Sequence, residues 1–484
     1  MFQTKLAPRG LFWLCLVVVT TVGLFVSFYN FSVGSLKNWD EGIYALISNE
    51  VMQKHSATLF LNGTPWSEKP PLGFYAEAVS IGAFGFSEFG IRFPAAVCLF
   101  FSIIALFFLA RELWRDDIKS LAATLVAALS PVVIMQHMGR GGDLETGFLL
   151  FLILSFLFFW RSFRNPRFLY AAGLAAGLAF MWRGSIGIFV VLIECLFLIA
   201  TKQWRRFSWY NYLGYIGIFL LTVLPWHIYQ LILYGQEFWN VYFGEQFFSR
   251  IVAPLQNHAG PWWYYFSFLF EREKFVQVLV ALAVIWTVVQ ITRKREPKQI
   301  FLLIWVMVFF VPLVLMKTKL YWYLLGVLPG LYFIFVDFVF YFLAKLKSAW
   351  RYGVAALLLV ILLYYWHSTW IFVTVPAHDP LPAIAEHLSL SAPANHILFY
   401  RTQLWYNGWI FPQVDYYFRY KHNLDIGWAG AADELAKMDA RRFGYIITED
   451  RYLAELGGWL DKNHGMVVAT APYGMFRLLT IAYE

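Results

Sequence analysis

Long apolar segments separated by short polar stretches recur from about residue 11 to residue 374. A run of about 18 or more apolar residues is long enough to cross the hydrocarbon core of a bilayer, which is roughly 30 Å thick. The chain is 60% hydrophobic and only 14% charged, whereas a soluble chain of this length needs more polar surface. The sequence therefore predicts a polytopic α-helical membrane protein.

The apolar periodicity predicts about 11 to 13 transmembrane helices. The least certain point is Trp182-Arg183-Gly184, because one long tilted helix there would invert the orientation of every later span. The candidate spans lie at 11–31, 90–110, 119–137, 145–160, 168–182, 184–200, 209–233, 275–292, 299–316, 321–343 and 352–374.

Lysines and arginines are concentrated in alternate connections between these spans, beginning with Lys5 and Arg9 before the first. By the positive-inside rule, short basic connections face the cytoplasm. We therefore expect a multi-pass protein of the cell membrane, such as a bacterial inner membrane, with a cytoplasmic N-terminus and an external C-terminus. Because the formal net charge of +8 is spread over these short clusters, it does not indicate a nucleic-acid partner.

The composition becomes more polar after residue 375, which divides the sequence into two expected domains. Residues 1–375 form the transmembrane domain, and residues 376–484 form an external α/β domain of about 100 residues. Apolar runs at 396–400, 445–448 and 466–469 are typical of strands, and 431–438 and 452–463 have helical periodicity.

Two polar islands lie in the first external loop, residues 32–88. The first contains Asp40-Glu41, and the second is Glu68-Lys69-Pro70-Pro71-Leu72. Charged groups close to the hydrocarbon are costly, so they usually line a polar cavity or a reaction site. We expect this loop to carry part of an active site.

Further polar and aromatic residues are expected in other external loops. Such a set is suited to an anionic head group whose lipid tail lies between helices. The second loop contains Arg140, Asp143 and Glu145; the fourth contains Arg250, His258 and the run Trp262–Tyr265; the fifth contains Lys319, Tyr321 and Tyr323.

Each of these features also has a structural interpretation. Asp40 and Glu41 are suited to capping a helix that follows them, and Asp143 to capping the fourth span. Lys69 before two prolines is consistent with an interfacial anchor. The run Trp262–Tyr265 is typical of an aromatic belt, and a lone His258 is consistent with a hydrogen-bonded loop residue. No single motif decides between these readings.

The combination of motifs resembles the GT-C glycosyltransferases. It is most similar to the branch that contains protein O-mannosyltransferases and the bacterial aminoarabinose transferases that modify lipid A. The resemblance covers residues 10–345 and rests on Asp40-Glu41, Glu68–Leu72, Gly142–Glu145, Pro225-Trp226, and Lys319–Tyr323 with Pro329.

Relatives often have a lysine-glycine after the fifth helix, where this chain has Arg183-Gly184. The positive charge is kept, but its geometry changes from a point charge to a planar fork.

The resemblance implies an enzyme that moves a sugar from a polyprenyl-phosphate donor to a lipid A-like lipid, a glycan or a protein on the external face. A hydroxyl acceptor needs a base, whereas the phosphate is a good leaving group that positive charge stabilises. The implied catalytic residues are Asp40 as base, Glu41 and Asp143. The implied phosphate-binding residues are Lys69, Arg183, Lys319, Tyr321 and Tyr323, and the implied substrate-binding residues are Glu68, Arg140, Glu145 and His258.

Asp143-x-Glu145 also resembles the acidic pairs that hold Mg²⁺ or Mn²⁺ in distant GT-C relatives. Side chains two residues apart on a helix diverge, so we favour a metal-independent reaction. Membrane lipids are expected partners, and nothing requires more than a monomer. A multi-spanning transporter and a non-catalytic lipid-binding protein are the alternatives, although a transporter should carry its charges near the midplane within internal repeats.

Overall fold

The computed structural model describes residues 9–37, 39–135, 137, 139–254, 258–374, 379–391, 396–400 and 412–483, except for the side chains of residues 247, 348 and 349. Lys5 and the expected domain junction at 375 and 376 lie outside the described residues. The chain divides into two compact units, which are described separately. The first unit is Met1–Ser32 with Glu50–Val375, and the second is Val33–Asn49 with Pro376–Glu484.

The first unit is built mainly of helices. Its one small sheet is the antiparallel hairpin of β1 (Leu59–Leu61) and β2 (Thr64–Trp66). The helices up to residue 374 are α1 (Arg9–Phe28), α2 (Asp40–Lys54), α3 (Leu72–Phe84), α4 (Glu88–Trp114), α5 (Asp117–Leu129), α6 (Glu145–Ser162), α7 (Phe168–Arg183), α8 (Ile188–Ala200), α9 (Trp209–Trp239), α10 (Arg250–Val252), α11 (Tyr264–Lys294), α12 (Pro297–Leu315), α13 (Leu328–Lys345) and α14 (Ser348–Thr374).

The prediction of a multi-span helical membrane protein is confirmed. Among the described residues, 8 helical segments are long and apolar enough to cross a membrane. They include α1, α4, α6, α11, α12 and α13, together with Trp209–Val252 and Trp350–Thr374. The three other predicted spans correspond to the shorter helices α5, α7 and α8, of 13, 16 and 13 residues.

Two predicted helix boundaries were wrong, and both corrections affect the loops. The span predicted at 119–137 ends at Leu129, because Pro131 lacks an N–H and disfavours helical backbone at Ser130. The span predicted at 321–343 begins as α13 at Leu328, with Pro329 in its first turn and a 3₁₀ segment at Tyr321–Gly326 before it. Residues 137 and 321–326 therefore belong to connections between the long helices.

Aromatic side chains fill much of the core of the first unit. Phe156 on α6 contacts both Phe301 and Trp305 on α12, with ring centroids 5.1 and 4.9 Å apart. The indole nitrogen of Trp305 donates to the Gly326 carbonyl oxygen at 2.8 Å. This packing joins the interior of the helices to the connection that contains Tyr321 and Tyr323.

The second unit contains a five-stranded mixed sheet in the order β4-β3-β5-β7-β6. β3 runs parallel to β4 and β5, whereas β7 is antiparallel to both β5 and β6. The predicted strand runs lie in β3, β5 and β6, while β4 and β7 were not predicted. The elements are α15 (Pro380–Ser391), β3 (His396–Tyr400), α16 (Pro412–Val414), β4 (Ile426–Ala429), α17 (Ala432–Leu435), β5 (Phe443–Thr448), α18 (Leu453–Lys462), β6 (Gly465–Tyr473) and β7 (Phe476–Tyr483).

Residues 33–49 pack with this second unit, although the sequence interpretation kept them in the transmembrane domain. The backbone N–H of Leu36 donates to the Tyr417 hydroxyl at 2.8 Å, and the side-chain amide of Gln413 donates to the Leu36 carbonyl oxygen at 2.7 Å. Gly42 on α2 lies so close to Pro412 that an added Cβ would meet its ring at 3.0 Å. The first polar island is therefore built into the second unit.

Candidate functional site

The first unit contains a buried ion pair between two residues predicted from separate motifs. Arg183 ends α7, and Glu145 begins α6. The distance from Arg183 Nη2 to Glu145 Oε1 is 2.6 Å. Their side chains are only 11% and 7% exposed. A charge-assisted contact of this length in a low-dielectric setting is strong, and it fixes the direction of the guanidinium.

The same guanidinium is the first member of a longer chain of contacts. It lies 5.7 Å from the ring centroid of Tyr323, and the Tyr323 hydroxyl accepts a hydrogen bond from Arg250 at 3.0 Å. Arg250 also donates to Gln246 at 2.7 Å, and Gln246 donates to Glu68 at 2.8 Å. Four predicted residues, Glu68, Glu145, Arg183 and Tyr323, are thus connected. We call these four, with Gln246 and Arg250, the loop cluster.

The backbone after Arg183 explains why a glycine follows it. Gly184 has φ +91°, a conformation that side-chain-bearing residues rarely adopt. An added Cβ there would lie 3.4 Å from both Pro70 Cδ and the Tyr242 hydroxyl. The turn that presents Arg183 therefore lies against the Glu68–Pro71 motif, in which Lys69 is partly buried.

Asp143 lies beside the same connections, with a histidine that the sequence analysis missed. Nδ1 of His137 is 3.2 Å from an oxygen of Asp143, and the His137 ring lies 4.7 Å from that of Trp322. The helix α6 begins with Leu144 as its N-cap and has no side-chain cap. The capping interpretation of Asp143 is therefore not supported by the contacts of this carboxylate.

Tyr321 remains a hydrogen-bond donor at ordinary pH. Its ring stacks on Phe268 at 5.1 Å. Burial, followed by the negative charge of Asp143, raises the pKa of its hydroxyl. A protonated hydroxyl next to this region is suited to binding an anion.

Lys319 has a different environment from the one predicted. Its ammonium group donates to the carbonyl oxygens of Leu313 and Val314, at 2.9 and 2.7 Å, and so satisfies the C-terminal end of α12. Burial, followed by the charge of Lys317, lowers the pKa of Lys319. These contacts give Lys319 a structural role in this structure, and its phosphate-binding role stays a prediction.

Arg140 and His258 are also placed by structural contacts. Arg140 donates to the Tyr29 carbonyl oxygen just beyond α1, and burial, together with nearby Arg92, lowers its pKa to about 10. The backbone carbonyl of His258 accepts from the Lys319 N–H at 2.8 Å, and its ring lies 6.3 Å from that of Trp322. Neither residue is joined to the loop cluster by the contacts seen.

Asp40 and Glu41 form the first turn of α2 in the second unit. Glu41 is fully buried, and its carboxylate accepts from the Lys37 backbone N–H at 2.5 Å. Asp40 is partly buried. The capping interpretation is therefore consistent with the structure for both acids, because carboxylates are stabilised at helix N-termini.

The two carboxylates of Asp143-x-Glu145 have different partners in the first unit. Asp143 lies against His137, whereas Glu145 is directed to Arg183. The pair of Asp143 and His137 supplies one oxygen and one nitrogen of the kind that transition metals accept.

Arg250 was predicted as a polar residue of the fourth external loop but was given no role, and neither His137 nor Gln246 was predicted. His137 was assigned to the end of a predicted membrane span. Gln246 and Arg250 are four residues apart, which places them on one face of a helical segment. This spacing could have indicated from the sequence that the two side chains are in contact.

Comparison with known proteins finds similar sequences over part of the chain and similar folds over most of it. Residues 68–229 match the model of the dolichyl-phosphate-mannose-protein mannosyltransferase family. The chain is 30% identical over 299 residues to undecaprenyl phosphate-alpha-4-amino-4-deoxy-L-arabinose arabinosyl transferase 1 of Pseudomonas fluorescens, covering 59% of this chain and 52% of that protein. The chain thus spans about half the length of the curated relatives it matches.

Two solved structures share the architecture. One is ArnT from Cupriavidus metallidurans bound to undecaprenyl phosphate, with a TM-score of 0.72, 18% identity and 98% coverage of both chains. The other is the archaeal oligosaccharyltransferase AglB from Archaeoglobus fulgidus, with a TM-score of 0.58, 12% identity, and coverage of 98% of this chain and 74% of that one. At these identities the likeness establishes the fold.

Proposed function

Because the chain belongs to the GT-C superfamily that includes these transferases, we propose that it is an integral membrane glycosyltransferase. It moves a sugar from a polyprenyl-phosphate donor to an acceptor on the external face of the membrane. Relatives named as arabinosyl transferases of undecaprenyl phosphate support this class of donor.

The observation that carries the proposal is the loop cluster. Glu68, Glu145, Arg183 and Tyr323 come from four distant parts of the sequence, and Gln246 and Arg250 join them into one chain of contacts. Two arginines, with Lys69 next to Glu68, supply more positive charge than the two glutamates of the cluster neutralise. Such an excess is suited to a phosphate that gains negative charge as the glycosidic bond breaks.

We assign the donor phosphate to Lys69, Arg183 and Arg250, with the hydroxyls of Tyr321 and Tyr323 as hydrogen-bond donors. Arginine presents a planar fork that matches phosphate oxygens, and its orientation here is fixed by Glu145 or Gln246. Lys319 would join this set only if its ammonium left the carbonyl oxygens at the end of α12.

The carboxylates are assigned to the acceptor. Asp40 is the proposed general base, with Glu41 supporting the same turn of α2, and Asp143 orients the donor or acceptor with His137. Glu145 and Glu68 are positioning residues, because each acts through a neighbouring cation or amide. Arg140 and His258 remain candidates for substrate binding.

A lipid A-like lipid is the proposed acceptor, because the relatives are named as aminoarabinose transferases. If that acceptor offers a phosphate oxygen, it already carries the charge needed for attack, and Asp40 then orients the acceptor instead of removing a proton. The proposed orientation has a cytoplasmic N-terminus and an external C-terminal unit, as the alternating basic connections predict. We propose that one copy of the chain is sufficient.

The test is sugar transfer by the purified full chain reconstituted in lipid with an undecaprenyl-phosphate sugar and a lipid A acceptor. An Asp40→Asn variant should lose transfer while it stays folded. The matched control is Asp433→Asn in the same unit, because Asp433 is 75% exposed and only 3.9 Å from Lys437. Full transfer by Asp40→Asn would refute the role of Asp40, and absence of transfer by the unaltered chain with every polyprenyl-phosphate sugar would refute the proposed function.

A further inference from the structure

A cavity lined by charged and aromatic side chains lies in the first unit, among helix ends that carry the basic clusters of the sequence. It has a volume of about 460 Å³ and lies between the start of α5, the end of α11, the start of α12 and the end of α13. In the topology proposed above, these ends face the cytoplasm, whereas the loop cluster faces outward. None of its lining residues has a role in the proposed transfer reaction.

The residues that line the cavity are charged near the helix ends and aromatic farther along the helices. Lys294 and Trp286 both line it on α11, and eight residues of helix separate them by about 12 Å. Trp286 packs against Tyr341 of α13 at 4.9 Å. A cavity with this profile fits an amphiphile better than a small soluble ion.

Each acidic side chain of the cavity lining has a hydrogen-bond or ion-pair partner within the protein. Asp337 forms an ion pair with Lys119 and accepts a second hydrogen bond from Gln299 at 3.1 Å. Glu296 lies 3.3 Å from Lys298, and a carboxylate oxygen of Asp116 accepts from a backbone N–H of α5. These contacts pair Lys119 with Asp337 and Lys298 with Glu296, and they leave Asp116 bound to a neutral backbone donor.

Lys294 is the cation left for a ligand, since it makes no hydrogen bond or ion pair with the described residues. Arg293 and Arg295 adjoin Lys294 in the sequence, and Lys345 follows the lining residue Ala344 at the end of α13. Lys345 is held over the Tyr341 ring at 4.4 Å. The potential at the mouth is therefore positive, which favours an anionic head group.

Two buried polar atoms in the lining lack a partner among the described residues. They are Oε1 of Gln299, a residue that is only 5% exposed, and Nε1 of Trp286. Burying such atoms without a hydrogen bond is costly. Nε1 can donate to an ester or phosphate oxygen, and Oε1 can accept from a hydroxyl.

The outer faces of the adjoining helices supply a path for acyl chains. Ile285 and Val289 on α11 and Phe342 on α13 are 62%, 38% and 38% exposed. These apolar side chains lie within a few residues of the cavity lining on both helices. A ligand that placed its head group in the cavity would have apolar surface for its tails.

We propose that this cavity binds the head group of an anionic phospholipid that carries hydroxyl groups, such as phosphatidylglycerol. Lys294 contacts the phosphate, Gln299 accepts from a head-group hydroxyl, and Trp286 donates to an ester oxygen. The site is separate from the one proposed for the sugar donor, and it adds a lipid that stabilises the helix ends. Basic pockets between membrane helices commonly hold anionic head groups in this way.

The experiment is native mass spectrometry of the full chain released from nanodiscs of equal parts phosphatidylglycerol and phosphatidylcholine. The unaltered protein should retain phosphatidylglycerol preferentially. Lys294→Ala should lower that retention about fivefold, the effect expected for one lysine near an anionic lipid. Trp286→Phe removes the N–H donor and keeps a smaller aromatic ring, so it should give a smaller loss in the same direction.

The matched control is Lys347→Ala, which removes the same charge from an exposed lysine that does not line the cavity. It should retain phosphatidylglycerol as the unaltered protein does. Equal losses in Lys294→Ala and Lys347→Ala would overturn the proposal in favour of general surface charge. Displacement of the lipid by millimolar inorganic phosphate would overturn it in favour of a soluble anion, and unchanged retention in Lys294→Ala would overturn it outright.

Discussion

The first unit buries polar groups in two contrasting ways. In the loop cluster, Glu145 meets Arg183, and Lys69 beside Glu68 raises the number of positive charges to three against two negative ones. Inside the helices, the partners of Glu194 on α8 among the described residues are hydroxyls: Ser155 donates to it at 2.8 Å and Tyr215 at 2.6 Å. The second arrangement satisfies one carboxyl group with neutral donors, whereas the first brings cationic groups together.

A further cluster in the helices follows the pattern of Glu194. The carboxyl group of Glu273 on α11 accepts from the hydroxyls of Ser130 at 2.5 Å and Tyr332 at 2.8 Å and from the side-chain amide of Gln277, which are all neutral donors. Both acids are almost fully buried and joined to hydroxyls of neighbouring helices. A buried acid in a membrane protein is therefore not sufficient evidence of a reaction site, and the partners of the acid decide between structure and function.

The largest expected effect is that of Arg250→Ala in the loop cluster. Its guanidinium orients Tyr323 and is assigned to the donor phosphate, so we expect sugar transfer to fall by about 100-fold or more. Transfer is measured with the reconstituted chain under saturating acceptor. If Arg250→Ala lost no more activity than a change at Glu194, the distinction between the two regions would fail.

Removal of Glu145 should affect both stability and transfer. Glu145→Ala leaves Arg183 buried without its carboxylate, which costs about 3–5 kcal/mol when a buried pair is broken. We expect lower thermal stability in detergent and weaker transfer. Glu145→Gln keeps a hydrogen-bond acceptor and should recover much of the stability. Unchanged stability and transfer in Glu145→Ala would show that the ion pair is unimportant.

Gln246→Ala tests positioning within the loop cluster. It removes the amide that joins Arg250 to Glu68 but leaves every proposed phosphate ligand in place. We expect transfer to fall about tenfold or less, the value of one hydrogen bond to a charged group. Gln236→Ala is the control, because Gln236 contacts only the exposed Asn240. A loss as large as that of Arg250→Ala would mean that Gln246 itself contacts the substrate.

The smallest effect on transfer is expected for Glu194→Gln. The amide is nearly isosteric and keeps an acceptor for one hydroxyl, so stability should fall by about 1–2 kcal/mol with transfer unchanged. Thermal unfolding and transfer are measured on the same preparation. A loss of transfer at full stability would give Glu194 a role in the reaction and would remove the contrast drawn here.

The sequence predicted the fold class and four members of the loop cluster, Glu68, Glu145, Arg183 and Tyr323, but not their contacts. Hydropathy located the long helices because burial in lipid depends on composition over many residues. Spacing could not predict the pair of Glu145 and Arg183, since it depends on how α6 and α7 pack. His137 was missed because Pro131 was not recognised as the end of α5, and this error extended the helix across the loop.

Residues 33–49 show a second limit of prediction from sequence. Asp40 and Glu41 follow the first span in the chain, so they were assigned to a loop of the transmembrane domain. The contacts that place them in the second unit involve Tyr417 and Gln413, almost 400 residues away. Local pattern carries no information about such long-range partners.

The central claim is that the loop cluster and Lys69 bind the phosphate of a polyprenyl carrier. Its most direct test is the equilibrium affinity of the full chain for undecaprenyl phosphate, measured for Lys69→Ala and Arg250→Ala beside the exposed control Lys202→Ala. We predict about tenfold weaker binding or more for the first two variants, as expected for a lost charge-assisted contact, and unchanged binding for the control. Full-strength binding by both Lys69→Ala and Arg250→Ala would contradict the account.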